Sequence, residues 1–168
     1  MSLRLRVALV AAGMSLGVAC APTSVPPPAV LTAPSAVPIQ LSAEAILVSV
    51  TINRSHQAAV FLVDTGASRT LLAPLLATRL GLAVPLDAPR EDLRVVGGTV
   101  ISVPLVRVAA LQVGEAVVER MEVGVYEFAP QARVIDGLLG ADFLNRFKVT
   151  FDRGSGRMVL ESLPAARR

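Results

Sequence analysis

From Ile46 onward, apolar and polar residues alternate in short runs, the two-residue period of half-buried strands. Ile46, Val48, Val50 and Ile52 share one face, Asn53-Arg54-Ser55-His56 reads as a turn, and Gln57 to Val63 returns as the second strand of a hairpin. The period then changes. Ala73 to Gly81 predicts a short helix, with proline in its first turn, glycine at its end, and Leu72, Leu75, Leu76 and Leu80 on its buried face. Strands resume around Leu93 to Val96 and Val100 to Val108, joined by the tight turn Gly97-Gly98-Thr99. Leu111 to Glu115 and Val117 to Val125 continue the strand pattern. Ala141 to Phe147 predicts one more short helix, with Phe143, Leu144 and Phe147 turned inward. Val149 to Asp152 and Arg157 to Leu160 form a last hairpin around Arg153-Gly154-Ser155-Gly156. Many short strands, two short helices and no βαβ rhythm predict an all-β, barrel-like domain.

The first part of the chain lacks this alternation. Arg4 and Arg6 precede an apolar run, Val7 to Ala19, that is too short to span a bilayer comfortably. Leu16-Gly17-Val18-Ala19-Cys20 resembles the lipobox of a bacterial lipoprotein signal, although Gly17 stands where leucine is commonest. A rival signal cut after Ala21 would leave Pro22 directly behind the cleavage site, where its locked backbone is unfavourable. The expectation is a signal over residues 1–19 and lipidation at Cys20, anchoring the protein to a membrane of the cell envelope and facing the periplasm or exterior. Ala21 in place of Asp favours the outer membrane in a Gram-negative cell. Residues 20–40, rich in proline and small residues, are expected to form an extended tether of up to roughly 60 Å at about 3.1 Å per residue. The folded domain is then expected over 41–162, with a tail over 163–168.

Charge and composition narrow the function classes. Sixteen Lys and Arg face thirteen Asp and Glu, and removal of Arg4 and Arg6 leaves the mature chain nearly neutral. Arg167-Arg168 is too short for a nucleic-acid patch, so no nucleic-acid partner is expected. Cys20 is the only cysteine, so the core must rely on packing without a disulfide. His56 is the only histidine and falls in a turn, which argues against a His-based triad or a zinc cluster. No metal or other cofactor is expected.

The candidate chemistry lies in Phe61-Leu62-Val63-Asp64-Thr65-Gly66-Ala67-Ser68. An apolar run ends abruptly in a carboxylate, a hydroxyl and a glycine. The strand fixes the backbone, Thr65 has a hydroxyl to donate, and Gly66 lets the chain turn closely under the carboxylate. An ordinary Asx turn would use the same residues. Further along stand the glycine pair Gly97-Gly98 and then Val134-Ile135-Asp136-Gly137-Leu138-Leu139-Gly140-Ala141-Asp142-Phe143-Leu144. With these in the same order and spacing, the chain resembles the retropepsin-like aspartic peptidases, in particular their bacterial single-domain branch, over roughly residues 44–161. The resemblance implies a single acid-peptidase barrel with Asp64, Thr65 and Gly66 as the catalytic tripeptide. It implies that Ala67, Ser68, Val96, Gly97, Gly98 and Thr99 bind substrate, the last four as part of a flap. It further implies that Leu138, Leu139 and Gly140 support the catalytic loop from behind.

One such tripeptide is half an active site, because acid-peptidase chemistry needs two adjacent carboxylates sharing a proton. The resemblance implies that Asp64 of a second subunit supplies the other, in an isologous homodimer, acting on a polypeptide substrate. Asp136 is the intrachain alternative; it lacks a following hydroxyl and reads as a turn residue. Asp142 is expected to start the short helix and Asp152 to cap the last hairpin. Two departures from the retroviral pattern stand out: Ala141-Asp142 replaces an Arg-Asn pair, and Ser68-Arg69 replaces an acidic pair. Two rival readings remain: an envelope lipoprotein that grips extended polypeptides without cleaving them, and a structural lipoprotein in which Asp64-Thr65-Gly66 is only a turn.

Overall fold

Strand alternation is carried through almost without a break in the computed structural model, which describes residues 31–41, 45–95, 97–127 and 135–163. In chain order the elements are β1 (Ser35–Leu41), β2 (Ile46–Ile52), β3 (Ala59–Val63), β4 (Leu71–Leu72), α1 (Pro74–Arg79), β5 (Arg90–Arg94) and β6 (Val100–Val113). They continue with β7 (Ala116–Val125), β8 (Gly137–Leu139), α2 (Ala141–Leu144), β9 (Phe147–Asp152) and β10 (Arg157–Ser162). Cys20 and the expected signal, Val96 and residues 164–168 lie outside the described residues.

Six strands close on themselves. β2 pairs with β3, β3 with β8, β8 with β4, β4 with β7, β7 with β6, and β6 returns to β2. Closure hides the strand edges and encloses a core built on Val50, Ile52, Phe61, Leu72, Val108, Leu111, Leu139 and Phe143. β9, β10 and β1 form an antiparallel extension beside it. β5 and the first part of β6 form a hairpin that projects from the ring.

Four sequence expectations change. The stretch expected to be tether through Gln40 contains β1. Ser35, Val37 and Ile39 are buried while Ala36, Pro38 and Gln40 are exposed, so the strand has a core face despite its proline content. Pro38 sits where β1 leaves β10 for β2, and its missing N–H therefore interrupts no continuous ladder. Leu31 also belongs to the folded unit, its N–H donating to Ser162 Oγ. On α1 the buried residues are Leu76 and Ala77, whereas Leu75 is 69% exposed. Leu75 lies about 100° around the helix from buried Leu76, and Leu72, in β4 before the extended Ala73, does not share the helical period. The second helix stops at Leu144 because Phe147 already pairs with Ser162 as the start of β9; Phe143, Leu144 and Phe147 are nonetheless all buried. Finally, β6 is one strand of 14 residues through Val113, and the two-residue β4 is a strand the apolar pattern did not distinguish from the approach to α1.

Candidate active site

β3 ends at Val63, and Asp64 is the first residue beyond it. Its backbone N–H donates to the Leu139 carbonyl of β8 at 3.1 Å, extending the parallel β3–β8 pairing by one bond. The half-buried carboxylate then turns back on its own loop. Asp64 Oδ1 accepts the N–H groups of Gly66 at 2.9 Å and Ala67 at 3.2 Å, which fixes its orientation. A side chain at Gly66 would begin 3.3 Å from that oxygen, a tight approach that glycine avoids. Thr65 and Gly66 are exposed.

Leu138, Leu139 and Gly140 are brought directly against this loop. The Ala141 N–H donates to the Ala67 carbonyl at 2.8 Å, and the Gly140 N–H donates to Thr70 Oγ1 at 3.1 Å. Gly140 passes so close to the loop that a Cβ there would lie 2.6 Å from the Arg69 carbonyl carbon and 2.8 Å from the Thr70 nitrogen. Both neighbours are backbone, so only glycine fits without moving the chain.

Asp142 completes the brace. Thr70, fully buried, donates its N–H to both carboxylate oxygens of Asp142 at 2.9 and 3.0 Å, and its hydroxyl to Oδ1 at 2.6 Å. Burial pushes the Asp142 carboxyl above its ordinary value, opposed by the Thr70 bonds and by the Arg69 charge. The helix-start role expected of Asp142 is present in its bond from the Phe143 N–H. Its tie to Thr70, 72 residues away, is what sequence reading missed.

Asp136 sits elsewhere. Its Oδ2 accepts the Val60 N–H at 2.9 Å and its Oδ1 pairs with Arg79 at 2.8 Å. Val60 is four residues before Asp64 on β3, a separation of about 13 Å at roughly 3.3 Å per residue. Both oxygens are engaged in joining β3, α1 and β8, and an intrachain dyad with Asp64 is out of reach.

A cleft of about 480 Å³ opens at Asp64. Gly66, Ala67, Ser68 and Arg69 form part of its lining, and Leu138 contributes as well, a residue expected only behind the site. From the projecting hairpin come Leu93, Arg94, Val95 and Ile101, whereas Gly97, Gly98 and Thr99 stand at the hairpin tip and do not line the cleft. Thr65, Leu139 and Gly140 are also outside the lining. The apolar wall has its own small cluster, in which Leu71, Leu93 and Val103 are buried and Ile101, Tyr126 and Leu138 pack against them. Leu71, Leu93, Ile101 and Tyr126 went unnoticed in the sequence because each is an ordinary strand hydrophobe or aromatic there. Arg69, like Ser68 before it, is a cleft residue that the sequence marked as a departure from the retroviral pattern. Its guanidinium pairs with Glu91, donates to the Glu122 carbonyl at 3.3 Å and approaches Asp142 at 3.9 Å, while its Nε is buried without a partner among the described residues. Among the described residues no His, Cys, Asp and Glu group has the arrangement of a metal site.

A family model of aspartyl proteases matches residues 48–143. The structure is similar to the crystal structure of a retropepsin-like aspartic protease from Rickettsia conorii, with a TM-score of 0.56 and 18% identity over 76% of this chain and 89% of that one. The all-β retropepsin-like domain expected from the sequence is therefore the fold observed. A retroviral protease-like domain of Ddi1 from Leishmania major aligns with a TM-score of 0.45 and 18% identity over 72% of this chain and 95% of that one. No curated protein matches the sequence.

Proposed function

Because the chain belongs to the aspartyl protease family, we propose that it is an aspartic endopeptidase whose site is assembled from Asp64 of two identical subunits. The single observation that carries this reading is the placement of Asp64. It is held by two N–H donors at the end of a braced strand, half-buried, in a cleft large enough for side chains of an extended polypeptide. With two such carboxylates about 3 Å apart across a two-fold axis, one is ionised and the other carries the shared proton. The ionised member takes a proton from a water held between them as the water's oxygen attacks the scissile carbonyl carbon. The protonated member donates to the carbonyl oxygen. In collapse the roles reverse, and the proton taken from water passes to the leaving amine as the C–N bond breaks. Thr65, exposed directly after Asp64, braces its counterpart across that axis in this reading. The substrate lies as an added strand between hairpin and floor, with its side chains directed to the Leu71, Leu93 and Ile101 wall.

Replacement of Asp64 by Asn tests the reading. The amide is nearly isosteric, so the fold is retained while peptide cleavage falls by about 10²–10⁴-fold or more. In exchanging mixtures of wild-type and Asp64→Asn chains, activity follows the square of the wild-type fraction, since only dimers with two aspartates turn over. A strictly proportional fall means that each chain carries a complete site, and the dimeric mechanism is wrong.

The proposed location is the cell envelope, with lipid on Cys20 as anchor; support for it is the sequence around Leu16 to Cys20. Cys20→Ser then releases the protein from membranes and abolishes lipid labelling. Equal membrane association of the two forms excludes the anchor.

A further inference from the structure

We propose that Arg69 is a positioning residue that latches the base of the β5–β6 hairpin to the loop carrying Asp64, so that the pivot of the hairpin is set by the Arg69–Glu91 ion pair. The kinetic consequence rests on the peptidase reading; the mechanical one does not.

Arg69 has an immobile root. Its carbonyl is pressed against Gly140, and the next residue, Thr70, is tied to Asp142 by both backbone and hydroxyl. From that root the guanidinium reaches three separate elements: the Glu91 carboxylate on β5, the Glu122 carbonyl on β7, and the Asp142 carboxylate at α2. The Glu122 carboxylate is turned instead to Arg107, at 2.9 Å, so the charges that meet Arg69 are Glu91 and Asp142. Arg69 and Glu91 side chains are only 24% and 31% exposed, and among the described residues the Arg69 Nε–H has no acceptor. An arginine free to swing would place that N–H in water. Here the planar fork is held by acceptors on different strands, which is the geometry of a clamp.

Its position along the hairpin gives the clamp a use. Glu91 pairs with Val103, and the next pair toward the tip on the same face is Leu93 with Ile101, both lining the cleft. Beyond them come the Arg94–Val100 pair and, among the described residues, the turn bonds from Val95 N–H to Thr99 and from Gly98 N–H to Val95. The hairpin is therefore fastened to the floor just before its cleft-lining residues begin. Loss of the latch leaves the hairpin held to the floor by the apolar cluster of Leu93, Val103 and Ile101 with Leu71 and Leu138, and by the β6–β7 ladder that begins with the pair Leu105 and Gly124. Leu93, Arg94, Val95 and Ile101 then shift more readily against the floor. Asp64, oriented by its own loop, keeps its geometry.

Backbone hydrogen exchange in the full chain tests this without reference to activity. Glu91→Gln leaves shape nearly unchanged and Arg69→Met keeps the stem's packing. Each accelerates exchange over residues 93–101 by about fivefold, the scale of a partly exposed ion pair, with β9 and β10 unchanged. The double variant exchanges no faster than the faster single one, because both remove the same interaction. Unaltered exchange at 93–101, equal acceleration in β9 and β10, or multiplicative effects in the double variant each overturn the latch. In an active peptidase, both single variants raise KM while kcat stays within about twofold; a kcat loss at constant KM also overturns it. Absence of peptidase activity in the wild type defeats the functional reading alone and leaves the exchange measurement to decide the latch.

Discussion

Gly140 and Gly98 are glycines for different reasons, and the two regions they belong to divide the cleft. Gly140 lies behind the floor, where any Cβ would meet the Arg69 and Thr70 backbone within 2.8 Å. Gly98 lies at the hairpin tip at φ +84° with nothing within 4 Å of where a Cβ would be. Around Gly140 the chain is cross-tied by bonds from Asp64 to Leu139, Ala141 to Ala67, Gly140 to Thr70 and Thr70 to Asp142. Around Gly98 the backbone bonds of the described residues stay within the hairpin, and Gly97, Gly98 and Thr99 are exposed. The loop that carries Asp64 is thus over-determined by ties from several elements, whereas the described residues of the hairpin tip are tied only within the hairpin. A glycine motif read from sequence alone covers both situations.

Substitution at the two glycines is the strongest way to break that contrast. Gly140→Ala is expected to destabilise the domain by about 1–3 kcal/mol or more, since the clash is with backbone and cannot be relieved by a rotamer change. Chemical denaturation measures it, and activity falls with the fold. A neutral Gly140→Ala would show that the floor is as yielding as the tip. Gly98→Val comes next. A β-branched residue resists the positive φ, but open space surrounds the position of a Cβ at Gly98 and the turn can rearrange locally, so unfolding is expected to shift by less than about 1 kcal/mol. Turnover is expected to fall about tenfold, a barrier change of about 1.4 kcal/mol. If stability drops as much as turnover, the hairpin tip is part of the rigid frame, and if turnover is unchanged it is a turn remote from substrate.

The smallest effect sharpens the account of the floor. The Asp142 carboxyl is raised by burial above its ordinary 3.8, so the folded protein takes up this proton at a higher pH than the unfolded chain does. Between the two values the folded state binds more protons, and the contribution of this group to stability therefore grows as pH falls. Wild type is expected to gain stability relative to Asp142→Asn as pH is lowered from neutral toward 3.8. Thermal melts of both proteins across that range measure the difference. A wild-type protein that loses ground to the variant on acidification would mean that the Thr70 bonds and Arg69 outweigh desolvation.

Much of the local structure was legible in advance, for reasons that can be named. Ile46, Val48, Val50 and Ile52 alternate because β2 has one face in the core, with Val48, Val50 and Ile52 buried. The β9–β10 hairpin was readable from Gly154 and Gly156 between two alternating runs. Composition misled where it averaged over a segment: the proline-rich stretch before Gln40 hid the alternating core face of β1. Short elements were misjudged at their margins, as with Leu75 on α1 and Phe147 after α2, because one turn of periodicity does not settle which residues a neighbour will cover.

By itself, the sequence determined which residues alternate, where the turns fall, and that a carboxylate follows an apolar strand and precedes a glycine. Those properties depend on chain neighbours, and backbone geometry links them to structure directly. Tertiary structure alone decided the partners. The parallel alignment of β3 with β8, the switch of β1 from β10 to β2, and the closure of the ring through β6 and β2 are choices among many pairings with the same periodicity. The Thr70–Asp142 brace and the Arg69–Glu91 pair follow from those choices. A side-chain period specifies which face is buried and leaves open what will cover it, because the covering segment is set by the free energy of the whole closed barrel.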